Sequence, residues 1–176
     1  MLIVLVGLMG SGKTTVGRQL AKKLSLKFVD SDELVEERAK STVRQIFAQL
    51  GEPEFRRLES EALQTACAGS ESKVLAVAGG AVLAEANRTL LLKNAKCIVW
   101  LDAPTSTLVD RTRRAKHRPL LDNDPTSSLN KMRQHREDLY RQIATHVVAT
   151  ASLSINQVVD RIVEQCSLTA VSGGHK

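Results

Sequence analysis

Apolar residues in this chain fall into short unbroken runs separated by stretches of helical periodicity. Residues 2–6 (LIVLV) are apolar without interruption and stop at Gly7. Such a run reads as a parallel strand covered on both faces. Val16, Leu20 and Leu24 recur at helical spacing within 13–24, which predicts a helix with one apolar stripe. Residues 26–29 (LKFV) predict a second strand that runs into Asp30-Ser31-Asp32. Helical patterns cover about 33–40 and 43–50, and Gly51 breaks the second. Pro53 suits the first turn of a helix over 53–68, where its missing N–H is not needed.

Residues 74–77 (VLAV) predict a third strand ending at Ala78-Gly79-Gly80, and 84–93 a helix. The strongest strand signal is CIVWL at 97–101, after which Pro104 opens another helix. A long helix at 127–143, a short strand at 146–149 and a helix at 154–166 complete the pattern. Strands that alternate with helices predict an α/β domain with a parallel sheet. One domain is expected over 1–166, with a flexible tail at 167–176.

Composition narrows this picture. A length of 176 residues suits one domain with a full core. Aromatics make up only 3%, so packing must rest on aliphatic side chains. No apolar run approaches the ~20 residues that span a bilayer. The first run lacks the basic flank and cleavage site of a secretory signal, so a cytosolic protein with no membrane partner is expected. Cys67, Cys97 and Cys166 match no zinc spacing and read as reduced thiols.

The formal charge is +6, and Arg111, Arg113, Arg114, Lys116, His117 and Arg118 crowd one short stretch. A binder of nucleic acid would pair such charge with stacking aromatics. This stretch has none, and a lid over a nucleotide, at about 112–125, fits it better than a nucleic-acid partner does.

The chemistry begins at Gly7-Leu8-Met9-Gly10-Ser11-Gly12-Lys13-Thr14, a P-loop between a predicted strand and a predicted helix. Its glycines let backbone N–H groups approach phosphate oxygens, and the helix start adds positive potential. Gly10, Ser11, Gly12, Lys13, Thr14 and Thr15 are the expected ATP-binding residues. Lys13 should reach the β- and γ-phosphates and the Thr14 hydroxyl a Mg²⁺ ion. A guanine-reading Asn-Lys-x-Asp segment is missing, and motor ATPases are longer. A small-molecule kinase using ATP and Mg²⁺ is expected.

Asp30 and Asp32 close the second predicted strand, where ligands of parallel sheets gather. Asp102 competes for the metal, because it too ends an apolar strand; otherwise it is a cap-like or solvated residue.

GLMGSGKTT, VDSD, GEPEFRRLE, AGGAV, RPLL and HREDLY together, in that order to about residue 166, resemble the shikimate kinase family. That resemblance implies a three-layer α/β/α P-loop fold. It also implies a five-stranded parallel sheet in the order 2-3-1-4-5 and a mobile lid. It favours the Asp30/Asp32 pair over Asp102. It implies that Asp32 contacts a shikimate hydroxyl as base or orienting group, and that Asp30 supports Mg²⁺ through water. Arg56 and Arg136 would bind the shikimate carboxylate, and Gly79 and Gly80 would place backbone N–H groups beside the substrate. Arg118 would reach the phosphates from the lid as a catalytic residue with Lys13 and Asp32, and Arg111 would pack on adenine.

Physical chemistry agrees with these roles: paired guanidinium forks match a carboxylate, and a lone carboxylate suits a hydroxyl. Glu59 and Glu61 are both candidates to brace Arg56, while Phe47 and Phe55 read as core before pocket. Two departures stand out. The family's glycine motif begins here with Ala78, and the proline common near residue 155 is absent. Ala78 keeps open a kinase for another small polyol acid such as gluconate. A nucleotide-binding regulator or RNA-binding module is the reading from another class. A monomer is expected.

Overall fold

A computed structural model describes residues 1–113 and 124–168. Among them, β1 (Leu2–Val6), β2 (Lys27–Asp30), β3 (Lys73–Ala76), β4 (Cys97–Asp102) and β5 (His146–Ala149) form one sheet. Its order is β2-β3-β1-β4-β5, and every pairing is parallel. This is the topology expected from the resemblance. The helices are α1 (Lys13–Leu24), α2 (Ser31–Ala39), α3 (Val43–Cys67), α4 (Glu85–Asn94), α5 (Thr105–Thr112), α6 (Pro125–Ile143) and α7 (Ile155–Gln165).

The central strand explains why its sequence shows no alternation. Val4 and Val6 pack into one layer with Leu63 of α3, Leu91 of α4, Leu108 of α5 and Tyr140 of α6. Ile3 and Leu5 pack into the opposite layer with Leu20 and Leu24 of α1 and Val158 and Ile162 of α7. Both faces are dry, so both sets of positions must be apolar. A third cluster of Val35, Ile46, Phe55, Leu58 and Ala62 joins α2 to α3 at the periphery.

Two details differ from the pattern-based expectation. The predicted pair of helices around Gly51 is one element, Val43–Cys67, bent at Gly51 where φ is 78° and ψ 173°. Pro53 follows the bend directly, so its missing N–H costs the helix no hydrogen bond. A short 3₁₀ turn at Ala81–Leu83 was not expected, because three residues are too few to carry a period. The lid expected at about 112–125 falls largely on residues 114–123, outside the described residues together with Arg118; 169–176 of the tail also lie outside them. Among the described residues no helix is long and apolar enough to cross a membrane.

Leu5 is fully buried in the middle of β1. Leu5→Ala should therefore lower the unfolding free energy by about 3 kcal/mol, read as a reduced denaturant midpoint with unchanged slope.

Candidate functional site

Parallel strands deliver all their carboxyl ends to one edge of the sheet. Here β1 feeds the P-loop, β2 feeds Asp30, and β3 feeds Ala78-Gly79-Gly80. Two cavities open along this edge, and both are lined by Lys13 and Thr14.

The cavity on the P-loop side has a volume of about 370 Å³ and is lined by Gly10 to Val16, Arg111, Thr150 and the apolar Leu153, Ile155 and Val158. Gly12 caps α1 with φ at 98°, a left-handed conformation that glycine adopts freely, and no side chain caps that helix. The first amides of α1 are thus left for an anion. The buried Ser11 hydroxyl has no hydrogen-bond partner among the described residues. A buried hydroxyl of this kind in a glycine-rich turn fits a phosphate group. Arg111 is fastened at the far side, donating to the Thr150 hydroxyl at 3.0 Å and its carbonyl at 2.9 Å.

At the junction of the cavities the Lys13 ammonium donates to the carbonyls of Gly7 (2.8 Å) and Leu8 (3.1 Å). The Thr14 hydroxyl donates to Asp30 Oδ2 at 2.8 Å. The other oxygen of Asp30 caps α2 by accepting the Asp32 N–H at 3.0 Å. A hydroxyl and a carboxylate are hard oxygen donors that suit Mg²⁺, which usually takes its remaining ligands from phosphates and water.

The second cavity, about 230 Å³, is lined by Asp32, Arg56, Gly79, Gly80 and Arg136, with Phe47 and Phe55 closing its apolar side. Every acceptor-side residue expected from the sequence thus lines one space. Phe55 is core, as expected, with Phe47 packed against the same cluster, and the two rings, with centroids 4.5 Å apart, also form part of the cavity wall. Arg56 Nη1 donates to both carboxylate oxygens of Glu59 (2.9 and 3.1 Å), while Nη2 and Nε donate to one oxygen of Glu52 (3.0 and 3.2 Å). A Cβ at Gly80 would overlap Arg56 Nη1, so any larger residue there would displace the Arg56 guanidinium from this position.

Glu59 is only 1% exposed. Burial pushes its carboxyl up from 4.5 to about 7, even though Arg56 and Arg136 draw it down. Burial alone would weaken the charge on Arg56, but Glu59 and Glu52 outweigh it and leave the guanidinium pKa raised.

Three further expectations can be placed. Glu59, not Glu61, braces Arg56; Glu61 pairs with Arg57 and Arg38 on the surface. Asp102 does not cap the next helix and is partly exposed, held at the surface by an ion pair. Its carboxylate accepts from Arg133 at 3.1 Å, and the same guanidinium reaches the Ala103 carbonyl. Ala78 avoids the left-handed region, whose non-glycine occupants among the described residues are Ser25, Lys40 and Ser167. A methyl at this position therefore meets no backbone strain, and the Ala78 N–H is taken by the Ser31 hydroxyl at 2.8 Å.

The family model for shikimate kinase matches residues 9–167. This chain belongs to the shikimate kinase family. The shikimate kinase of Symbiobacterium thermophilum is 47% identical over 166 residues, covering 93% of this chain and 94% of that protein. The shikimate kinase of Corynebacterium glutamicum is 38% identical over 168 residues, covering 95% and 97%. Among solved structures, the shikimate kinase from Acinetobacter baumannii in complex with shikimate superposes with a TM-score of 0.88. It is 36% identical and covers 93% of this chain and 90% of that one.

Within this member of the shikimate kinase family, the sequence pattern left several site contributions undetected. Ser31 locks the Asp30–Asp32 segment to Ala78, and Tyr140 donates to the Gly79 carbonyl at 2.6 Å. Neither residue type signals such a role by spacing. Leu153 and Ile155 supply apolar surface to the P-loop cavity where the family's proline is absent.

The Glu59 shift has a stability consequence. Between pH 4.5 and about 7 the folded chain holds the Glu59 proton more tightly than the unfolded chain does. The contribution of this group is therefore fully present below pH 4.5, falls as pH rises, and levels off above about 7. Glu59→Gln should lack this slope. Denaturant titrations of both proteins across the window will read the difference as a gap in stability that varies with pH.

Proposed function

We propose that this chain transfers the γ-phosphoryl group of ATP to a hydroxyl of shikimate, yielding ADP and shikimate 3-phosphate. The observation that carries the reading is the joining of two cavities at Lys13 and Thr14, one lined by the P-loop and the other by two arginines and Asp32. Membership of the shikimate kinase family and the likeness to a relative solved with shikimate support it.

The chemistry follows from the donors. ATP lies with its phosphates against the amides of Gly10, Ser11, Gly12, Lys13, Thr14 and Thr15. Its base lies toward Arg111 and the apolar pair Leu153 and Ile155. Thr14 and Asp30 would hold Mg²⁺, which when bound would supply charge neutralisation at the phosphates. The shikimate carboxylate is gripped by the guanidinium forks of Arg56 and Arg136, geometry for which arginine is better suited than lysine. The amides of Gly79 and Gly80 line the same wall.

This anchoring turns a ring hydroxyl toward Asp32, which accepts its proton as the oxygen bonds to the γ-phosphorus and the bond to ADP breaks. Lys13 leaves the carbonyls of Gly7 and Leu8 to balance the charge developing on the transferred group, and Arg118 joins it from the lid. Phosphoryl transfer asks mainly for positioning and charge neutralisation, which these groups supply. Both cavities are built from one chain, so a monomer suffices, and the cytosol supplies ATP and Mg²⁺.

Release of ADP measured with shikimate, quinate and gluconate in turn tests the assignment. Stimulation by shikimate above the other two is expected; stimulation by gluconate alone would replace the acceptor. Arg56→Ala should raise the KM for shikimate on the order of a hundredfold, as losing a charge-assisted pair predicts. The KM for ATP should stay within about threefold. Lys13→Ala should cut kcat by about a hundredfold or more with the circular-dichroism spectrum unchanged.

A further inference from the structure

The Gly79–Gly80 peptide forms part of the acceptor wall beside Arg136. Behind that wall, outside the cavity lining, lies Tyr140, one turn along α6 from Arg136 and 1% exposed. Its phenol donates to the Gly79 carbonyl at 2.6 Å. The described residues contain no cis peptide bond. In a trans peptide the carbonyl of one residue and the N–H of the next point in opposite directions. A Gly79 carbonyl held toward Tyr140 therefore turns the Gly80 N–H away from Tyr140, to the side on which the cavity lies.

The Arg136 guanidinium lies close to the phenol, and its positive charge opposes the rise in the Tyr140 pKa that burial causes. The phenol keeps its proton at neutral pH and so stays a donor to Gly79, with an oxygen that can also accept. Both groups crowd the same backbone point: a Cβ on Gly79 would lie 3.3 Å from the Tyr140 oxygen and 3.7 Å from Arg136 Nη1. The ring itself is held by stacking on Trp100, with centroids 5.8 Å apart and planes 30° from parallel.

We propose that Tyr140 is a positioning residue for the acceptor. Its hydroxyl locks the Gly79–Gly80 peptide and the Arg136 guanidinium into one arrangement, so that the Gly80 N–H and Arg136 meet the acceptor's oxygens together. The inference rests on the reading of this cavity as the shikimate site. A residue that merely fills the core would be replaced by phenylalanine without functional cost. A residue that sets two donors would not.

The test is Tyr140→Phe, which keeps the ring and its stacking and removes only the hydroxyl. Steady-state kinetics are run with each substrate varied in turn. Shikimate binding is also measured by calorimetry without nucleotide, at a temperature where both proteins are folded. The expected result is about a tenfold rise in the KM and Kd for shikimate, with the KM for ATP within about twofold. An unchanged shikimate Kd, an equal rise for both substrates, or a loss confined to kcat would each overturn the positioning role. If the unaltered protein releases no ADP with shikimate, the reading of the cavity fails and takes this proposal with it. An active unaltered protein with an indistinguishable Tyr140→Phe variant removes the positioning role alone.

Discussion

The parallel register of β1 between β3 and β4 is the constraint on which the rest of the molecule depends. Leu2 to Leu5 align with Lys73 to Ala76 on one side, and Ile3 to Val6 with Cys97 to Trp100 on the other. Because all strands run the same way, each loop that carries chemistry leaves the sheet at the same edge. The hydrogen bond from Thr14 to Asp30 then joins the loop after β1 to the one after β2. A second, from the Ala78 N–H to the Ser31 hydroxyl, joins the loop after β3 to the same segment. Three loops far apart in sequence become one rigid rim, and the two cavities share the rim residues Lys13 and Thr14.

Placing an anionic acceptor beside a triphosphate requires positive charge that is fixed in position and not merely abundant. The surface offers ample loose charge, as in Arg57, which is half exposed and shared between Glu54 and Glu61. Arg56, next to it on α3, is different. Its guanidinium is oriented by a buried carboxylate on the same helix and passes over the Phe55 ring at 5.3 Å to its centroid. Gly80 leaves room for it from the opposite side. Burying Glu59 is costly in isolation and becomes tolerable through this pairing. What it contributes is orientation: an arginine already extended has less side-chain freedom to lose when a ligand arrives.

Most of the fold was legible along the chain because its central strands β1, β3 and β4 are buried on both faces, and runs such as LIVLV and CIVWL have no other economical reading. The P-loop was legible for a related reason, since each residue type answers a local demand. The acceptor cavity was only half legible. Arg56 and Arg136 could be named through their motifs, but on spacing alone they resemble any surface arginine. The choice between Glu59 and Glu61 depended on which side of α3 faces the cavity, and the bend at Gly51 resets that phase. Tyr140 was invisible as a site residue because its contact with Gly79 spans 61 positions. Asp102 could be read as cap, solvated group or metal ligand until Arg133, 31 residues away, proved to hold it.

The stacking of Trp100 against Tyr140 has a practical corollary. The chain contains one tryptophan, and that indole lies in β4 with the Arg141 cation 5.5 Å from its ring on the α6 side. Its emission therefore comes from a single place, directly behind the helix that carries Arg136. The protein has an intrinsic optical probe at the back of its acceptor wall, and small movements of α6 can be followed by fluorescence without attaching a dye.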